Sequence, residues 1–467
     1  MLAIQQRLSN AFYVVLSLPS TAMGFALSVQ IAALSWILST QYGLKIDEIG
    51  LVWAAGPIAG ILGQVVFGVV SDNVWFWGGR RRPFILIGGV LAAVSMLALP
   101  NLGIISEAMG LDGVLGIAIA VALSLDISIN VGFNPTRSII ADVTPEGDAR
   151  TKGYTWMQTI SGTLGVLAYF ISVLFGNIDL IYIGAVIALL LSVVPPFFIE
   201  EPRSETEQVA TTLNLKQALL DIRPLWGFLV YAIYGIAARL TDLSAISTFM
   251  IAFSAAITAI TIAQTLLQKE AGKSKEEAGR IGFQKVLAAH SFTWIGIQSM
   301  FIYMFSYVQY RMPTLSDERM GQVVSWSFLI LNAIAAVLPA FVLEPMTRRL
   351  GRVRTHLLCI ASMAAGYGLL WLGGGTELYI YLCMAILGVG WSATVSLPFA
   401  IMSQQVDQSK MGLYMGLFNL SVVLPQLVAS LGVGQYLGAA ADKSLVFLIA
   451  AGCLALSALA WSFVKEK

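Results

Sequence analysis

Charged side chains are scarce in this chain of 467 residues. Only 11% of the residues are charged and 57% are hydrophobic, whereas roughly a quarter of the residues of an ordinary soluble domain are charged. The apolar stretches recur along the whole chain, which excludes a single soluble core and requires lipid to solvate most of the surface. The composition therefore predicts an all-α, polytopic membrane protein.

An excess of either charge is also missing, because 27 Lys and Arg nearly balance 26 Asp and Glu. Nothing in this balance indicates a nucleic-acid partner. The cysteines Cys359, Cys383 and Cys453 lie in apolar stretches without metal-ligand spacing, and we interpret them as small core residues. His290, at a predicted membrane boundary, and His356, after a basic loop, have no partner that suggests catalysis. With no nucleophile elbow, phosphate loop or HExxH motif, we expect neither an enzyme nor a cofactor or metal.

Long hydrophobic runs are abundant. Charges and turn residues separate them into fourteen segments near the length that crosses a hydrocarbon core. The first segment is too long for a signal-peptide core and has no clear cleavage site, so we expect it to be retained. The pair at 225–243 and 246–267 is interrupted by Arg239 and Asp242. The other predicted spans are 11–40, 50–71, 83–105, 113–141, 154–176, 179–199, 286–310, 320–343, 356–374, 378–402, 412–436 and 444–464.

The basic residues predict the orientation of these spans. With the N-terminus inside, twenty-one Lys and Arg fall on the inner side and four on the outer side, and Arg137 and Arg239 lie within spans. This asymmetry agrees with the positive-inside rule. It would be lost if only one of the two segments at 225–243 and 246–267 crossed the membrane. We therefore expect both termini on the cytoplasmic side.

A weak internal repeat indicates two parallel halves. The run GGRRRPFILIGG at 78–89 has a counterpart in TRRLGRVRTH at 347–356. Likewise, Pro135 in the fourth span corresponds to Pro398. Parallel halves related by an axis along the membrane normal are typical of major-facilitator transporters, which bind substrate at the midplane. We expect an N-terminal six-helix half at 1–200, a linker with two extra membrane helices at 201–285 and a C-terminal six-helix half at 286–467.

Asp126 is the one acidic residue deep inside the twelve core spans, where a charge costs about 2.5–3.5 kcal/mol. Burial favours the neutral form of a carboxyl group, so Asp126 is a candidate proton carrier; the alternative is a structural acid bonded to a neighbouring helix. Asn130 and Arg137 lie on nearly the same helical face. We predict that Arg137 gates or holds substrate, with snorkelling to headgroups as the alternative, and interpret Asp142 as solvated.

Polar side chains indicate two further sites. Asp72 and the arginines Arg80, Arg81 and Arg82 flank a short cytoplasmic turn and are candidates for an ion-pair gate, although such arginines also enforce topology. Amides can bond sugar hydroxyls and an indole can stack on a pyranose, whereas helix–helix bonding or interface anchoring is the alternative use. The candidate substrate-binding residues are Gln30, Asn130, Arg137, Trp294, Gln298, Asn332, Asn419 and Gln426.

Several of these motifs resemble one transporter family. MGFALSVQ at 23–30, GPIAG at 56–60 and GRRRPF at 79–84 are similar to the plant sucrose transporters and their animal and bacterial relatives, a branch close to the glycoside-pentoside-hexuronide:cation symporters. The fourth-span and later motifs that share the resemblance are Asp126, Asn130, Pro135, Arg137 and Asp142, SLPFA at 396–400, Met411 to Asn419, and Pro425 with Gln426.

The resemblance implies the major facilitator fold and proton-coupled uptake of a disaccharide such as sucrose or maltose. It implies that Asp126 takes the coupling proton and that Arg137 is required for transport; the pair at 225–267 lies outside it. We expect a monomer in a bacterial inner membrane, with a sugar, a proton and the bilayer as partners. The alternatives are an exporter of another small molecule and a non-transporting assembly factor for membrane pigment complexes.

Overall fold

The structure is a computed structural model that describes residues 3–61, 74–145, 147–202, 215–241, 246–407 and 411–466. The described part is almost entirely helical, in agreement with the predicted all-α class. The helices are Ala3–Gln6, Asn10–Thr40, Ile46–Trp53, Arg82–Ala98, Leu102–Ala108, Leu115–Val143, Asp148–Phe175, Asn177–Val193, Leu215–Asp221, Trp226–Leu240, Ser247–Leu267, Lys275–Arg311, Asp317–Leu338, Glu344–Leu350, Arg352–Leu372, Glu377–Ser403, Met411–Leu427, Gly434–Ala439 and Leu445–Trp461.

Ten helical stretches of the described residues are long and apolar enough to cross a membrane. The protein is therefore a multi-pass membrane protein, but this count does not confirm fourteen spans. The predicted span 50–71 runs into residues outside the described part. The helices Trp226–Leu240 and Leu445–Trp461 are short, and the span predicted at 286–310 belongs to a longer helix that begins at Lys275.

The chain divides into two compact units. The first contains Met1–Val209 and Thr314–Leu329, and the second contains Ala210–Pro313 and Ile330–Lys467. Within the first unit, Trp36 Nε1 donates to the Asp317 carbonyl oxygen at 2.8 Å. The division into halves and a linker at the boundaries predicted from the sequence stays a prediction.

In the first unit, glycine brings two helices into backbone contact. A Cβ on Gly88, in the Arg82–Ala98 helix, would lie 2.8 Å from the Ser128 carbonyl oxygen and 3.1 Å from the Gly132 nitrogen. Ser128 and Gly132 belong to the Leu115–Val143 helix, named the Asp126 helix below. Small residues permit such close approaches between membrane helices. This contact sets the position of the helix that carries Asp126.

In the second unit, the helices Trp226–Leu240 and Ser247–Leu267, named the inserted pair below, pack on the Lys275–Arg311 helix, named the His290 helix below. The rings of Phe228 and Phe292 meet edge to face with centroids 6.2 Å apart. Gly227 leaves room for the backbone of Ser254, because an added Cβ would lie 2.5 Å from its carbonyl oxygen. The inserted pair is thus tightly packed against itself and against its neighbour.

The glycine contact can be tested with a matched pair of variants. We expect Gly88→Ala to destabilise the protein by about 1–3 kcal/mol, because its methyl group overpacks against backbone atoms. Gly116→Ala is the control, since nothing lies within 4 Å of a Cβ on Gly116 and alanine favours the helix. Thermal unfolding of the detergent-solubilised protein compares the two; equal melting temperatures would contradict the close contact.

Candidate functional site

Asp126 lies in the first unit with its carboxyl group buried against two other elements. The residue is 7% exposed, and Gln30 Nε2 donates to Asp126 Oδ2 at 3.0 Å. A Cβ on Gly56 would lie 3.4 Å from both carboxyl oxygens, at the edge of van der Waals contact. The glycine of the GPIAG run therefore lies directly beside the carboxyl group. The amide of Gln30, on the Asn10–Thr40 helix, holds this group in place.

The Asp126 helix presents Asp126, Asn130 and Arg137 on nearly one face, as the sequence predicts. Asn130 Nδ2 donates to the backbone oxygen of Asp126 at 2.8 Å rather than to its carboxyl group. Arg137 is exposed, and its guanidinium lies 5.4 Å from the centroid of the Phe133 ring. Eleven residues of helix rise about 16 Å, so Arg137 and Asp126 lie far apart along the helix.

The three arginines of the predicted gate make two kinds of contact in the described part of the chain: ion pairs through side chains and hydrogen bonds through backbone amides. Arg80 Nη2 and Arg81 Nε donate to Asp142 Oδ2 at 3.1 and 3.2 Å. The interpretation of Asp142 as a solvated residue is incomplete, because its side chain is only 19% exposed and accepts from both arginines. Asp72, the gate residue predicted to pair with these arginines, lies outside the described residues.

A carboxylate that the sequence did not indicate fixes the same turn. The Glu201 carboxylate accepts the backbone N–H groups of Arg80, Arg81 and Arg82, with N···O distances of 2.7–2.9 Å. These amides precede and begin the Arg82–Ala98 helix, where N–H groups lack intrahelical partners and the helix dipole favours negative charge. A Cβ on Gly79 would overlap Glu201. The GGRRRPF motif thus forms a carboxylate-binding turn.

In the second unit, amides and indoles form a cluster on facing helices. Gln426 Nε2 donates to Gln298 Oε1 at 3.0 Å, and Trp391 Nε1 donates to Asn332 Oδ1 at 3.2 Å. The rings of Trp294 and Trp391 meet edge to face with centroids 6.1 Å apart. Four of the predicted substrate-binding residues, Trp294, Gln298, Asn332 and Gln426, therefore belong to three pairs, two hydrogen-bonded and one aromatic. Asn419 lies two turns before Gln426 on the same helix and is half-buried.

His290 extends this cluster, which the sequence analysis did not anticipate. Trp294 Nε1 donates to His290 Nε2 at 2.9 Å, and the imidazole stacks on Phe418 with centroids 4.9 Å apart. The helix that carries His290 begins fifteen residues earlier, at Lys275, and the position of His290 at the membrane boundary stays a prediction. The spacing His290, Trp294, Gln298 was the available signal, since residues four apart share a helical face.

Each unit therefore presents a different set of functional groups. The first holds a buried carboxyl group beside an amide that can donate or accept a hydrogen bond. The second presents amide and indole groups, of which Trp294, Asn332, Trp391 and Gln426 are half-buried and therefore partly accessible. Amides with aromatic faces suit a polyhydroxylated ligand with an apolar ring face.

A family model described as the Major Facilitator Superfamily matches residues 16–430. Over 92% of its length the chain is 24% identical to "Sucrose transport protein SUT3" of Oryza sativa subsp. indica, covering 88% of that protein. It is 27% identical to "General alpha-glucoside permease" of Schizosaccharomyces pombe, over 40% of this chain and 39% of the permease. The crystal structure of the POT family transporter PepTSo superposes with a TM-score of 0.68 at 13% identity, covering 98% of both chains.

The carboxylate-binding turn predicts a large effect of Glu201→Ala. The variant should lose about 2 kcal/mol of stability, because three backbone amides lose a charged acceptor. Glu107→Ala removes an exposed carboxylate from another helix of the same unit and serves as the control. Thermal unfolding in detergent measures both. A Glu201→Ala variant as stable as the Glu107→Ala control would contradict the proposed helix cap.

Proposed function

This chain belongs to the Major Facilitator Superfamily, and from that premise we propose that it imports a disaccharide of the sucrose or maltose type together with protons. The predicted major facilitator fold is confirmed by the family match and by the likeness to solved transporters. The curated relatives named for sucrose and alpha-glucosides support the substrate class. The observation that carries the coupling proposal is the buried Asp126–Gln30 contact.

Asp126 suits reversible protonation because its surroundings accommodate both forms of the carboxyl group. The described residues place no cationic side chain within ion-pair distance of Asp126, so no fixed positive charge locks it in the ionised form. Gln30 Nε2 donates to the ionised form, and Gln30 Oε1 is buried without a hydrogen-bond partner in the described part. A rotated amide offers that oxygen to a protonated carboxyl group.

The proton cycle follows from the cost of a charge in hydrocarbon, which is about 2.5–3.5 kcal/mol at the centre of a span. Asp126 binds a proton from the outer side, and the neutral carrier then changes conformation with sugar bound at a lower electrostatic cost. Release of the proton to the cytoplasm restores the charge. Sugar movement is thereby coupled to the proton gradient, with Arg137 near the cytoplasmic end as the residue that holds or releases substrate.

The amide and indole cluster of the second unit is proposed to contact the sugar. Gln298 and Gln426 already exchange one hydrogen bond and keep further donor and acceptor capacity for hydroxyl groups. Trp391 is oriented by its bond to Asn332, so its ring is presented at little further entropic cost. Uptake of labelled disaccharides by a transport-deficient host is the primary test, and a failure to exchange any sugar in counterflow would contradict this substrate class.

The coupling role of Asp126 predicts the phenotype of Asp126→Asn. Asparagine keeps the size and the hydrogen bond to Gln30 but cannot carry a proton, so the accumulation ratio should fall to about one while sugar exchange in counterflow persists. Asp112→Asn, in an exposed loop before the same helix, should retain accumulation. If Asp126→Asn still accumulates sugar fully against its concentration gradient in an uncoupler-sensitive way, the coupling role of Asp126 is wrong.

The sugar-contact role predicts a change in half-saturation. Gln298→Ala and Gln426→Ala should each raise the sugar concentration at half-maximal uptake by up to about tenfold, the equivalent of one lost hydrogen bond. Gln322→Ala is the control, because Gln322 bonds Arg319 at an exposed position. Concentration dependence of uptake, corrected for the amount of protein in the membrane, measures the effect. If the sugar concentration at half-maximal uptake is unchanged in both variants, the two amides do not contact the sugar.

A further inference from the structure

A cationic pocket opens where the segments that flank the inserted pair in sequence, around Arg223 and Lys269, meet the start of the His290 helix. It has a volume of about 510 Å³. Among the described residues that line it, four are cationic, Arg223, Lys269, Lys273 and Arg280, and one is acidic, Glu277. Glu277 lies 3.9 Å from Lys273, which offsets its charge locally. The pocket therefore has the electrostatic character of an anion site.

Arg223 gives this pocket a specific donor. Its Nε and Nη2 atoms are buried and have no hydrogen-bond partner among the described residues. The nearby acids have other contacts: Glu270 pairs with Lys285 at 3.0 Å, with side chains 8% and 4% exposed, and Asp221 Oδ1 accepts from Gln217 at 2.8 Å. A guanidinium with unused donors beside other cations suits an oxyanion such as phosphate.

A separate apolar groove lies further along the His290 helix and against the inserted pair. The groove has a volume of about 730 Å³, and its lining includes Phe228, Tyr231, Ile251, Ala259 and Phe292. Phe228 follows Arg223 by five residues. On the His290 helix, Phe292 follows the pocket residue Ile281 by eleven residues, which places it about 16 Å further along nearly the same face.

We propose that the cationic pocket and the apolar groove together bind one anionic phospholipid. Its phosphate lies against Arg223 and Arg280, and an acyl chain fills the groove. From Ala259 to Ile251 the groove follows the inserted pair for about 12 Å, a substantial part of one leaflet. The distribution of Lys and Arg assigns the pocket to the cytoplasmic side, where anionic lipids attract basic residues. The inserted pair is thereby a lipid cradle attached to the second unit.

The test uses the full chain in detergent, titrated with lipids of matched acyl chains. Phosphatidylglycerol should raise the melting temperature, whereas phosphatidylcholine should not. Inorganic phosphate and the deacylated headgroup glycerophosphoglycerol are the probes for a soluble anion. Native mass spectrometry should record one bound phosphatidylglycerol.

Two sets of variants separate the headgroup from the acyl chain. Arg223→Gln and Arg280→Gln should each weaken the response to phosphatidylglycerol roughly fivefold, while Lys275→Gln, an exposed cation outside the pocket lining, should not. Arg280 is exposed, so its variant is expected to fold even if Arg223→Gln does not. Ala259→Trp should block the groove, and Ala256→Trp, at an exposed position of the same helix outside the groove lining, should leave binding intact.

Three results would overturn the proposal. The first is equal stabilisation by phosphatidylglycerol and phosphatidylcholine, including none by either. The second is saturation by inorganic phosphate or glycerophosphoglycerol at the concentration at which the lipid acts, which would assign the pocket to a soluble anion. The third is unchanged lipid binding by the Ala259→Trp variant, which would show that the groove is not part of the site.

Discussion

A polar group inside a bilayer must find its partner within the protein, because hydrocarbon offers none. The described part of this chain meets that constraint with contacts between helices distant in sequence. Gln30 bonds Asp126 across 96 positions, and Gln426 bonds Gln298 across 128. These bonds, together with the packing of glycine and aromatic side chains, determine which helix faces turn inward.

Amides recur at the points where adaptability is useful. A carboxylate can only accept and an ammonium can only donate, whereas an amide does both. Gln30 can therefore serve a neighbour that changes its protonation state, and the Gln298–Gln426 pair can serve hydroxyl groups whose donors and acceptors differ between sugars. Aromatic groups around the second pair, including His290 stacked on Phe418, keep the cluster rigid. The same residue chemistry thus supports both proposed roles.

The sequence predicted features that depend on local spacing. The long hydrophobic runs predicted the positions of most helices. The shared face of Asp126, Asn130 and Arg137 follows from helical geometry alone. It did not predict that Asp142 pairs with Arg80 and Arg81, because residues 61 and 62 positions apart leave no periodic signal. The start of the His290 helix was missed for another reason: its first turns are charged and lie before the apolar window.

The identity of the fold was accessible because composition, orientation and motifs agree at every level. The number of membrane crossings was harder to predict from the sequence. Short helices such as Trp226–Leu240 are close to the minimum length of a span, so their apolar length does not show whether they cross the membrane. Pairings in the candidate site, including Trp391 with Asn332, required the three-dimensional arrangement. Long-range partners are the information that a single sequence leaves out.

The carboxylate of Glu201 has a consequence for biosynthesis. It receives the amides of residues that precede it by 119–121 positions, so the turn at Arg80–Arg82 emerges from the ribosome long before its acceptor exists. Chains fold from the N-terminus as they are made. The turn at Arg80–Arg82 therefore acquires its carboxylate acceptor only after the sixth predicted span has been synthesised, and the segment Thr314–Leu329 joins the first unit later still.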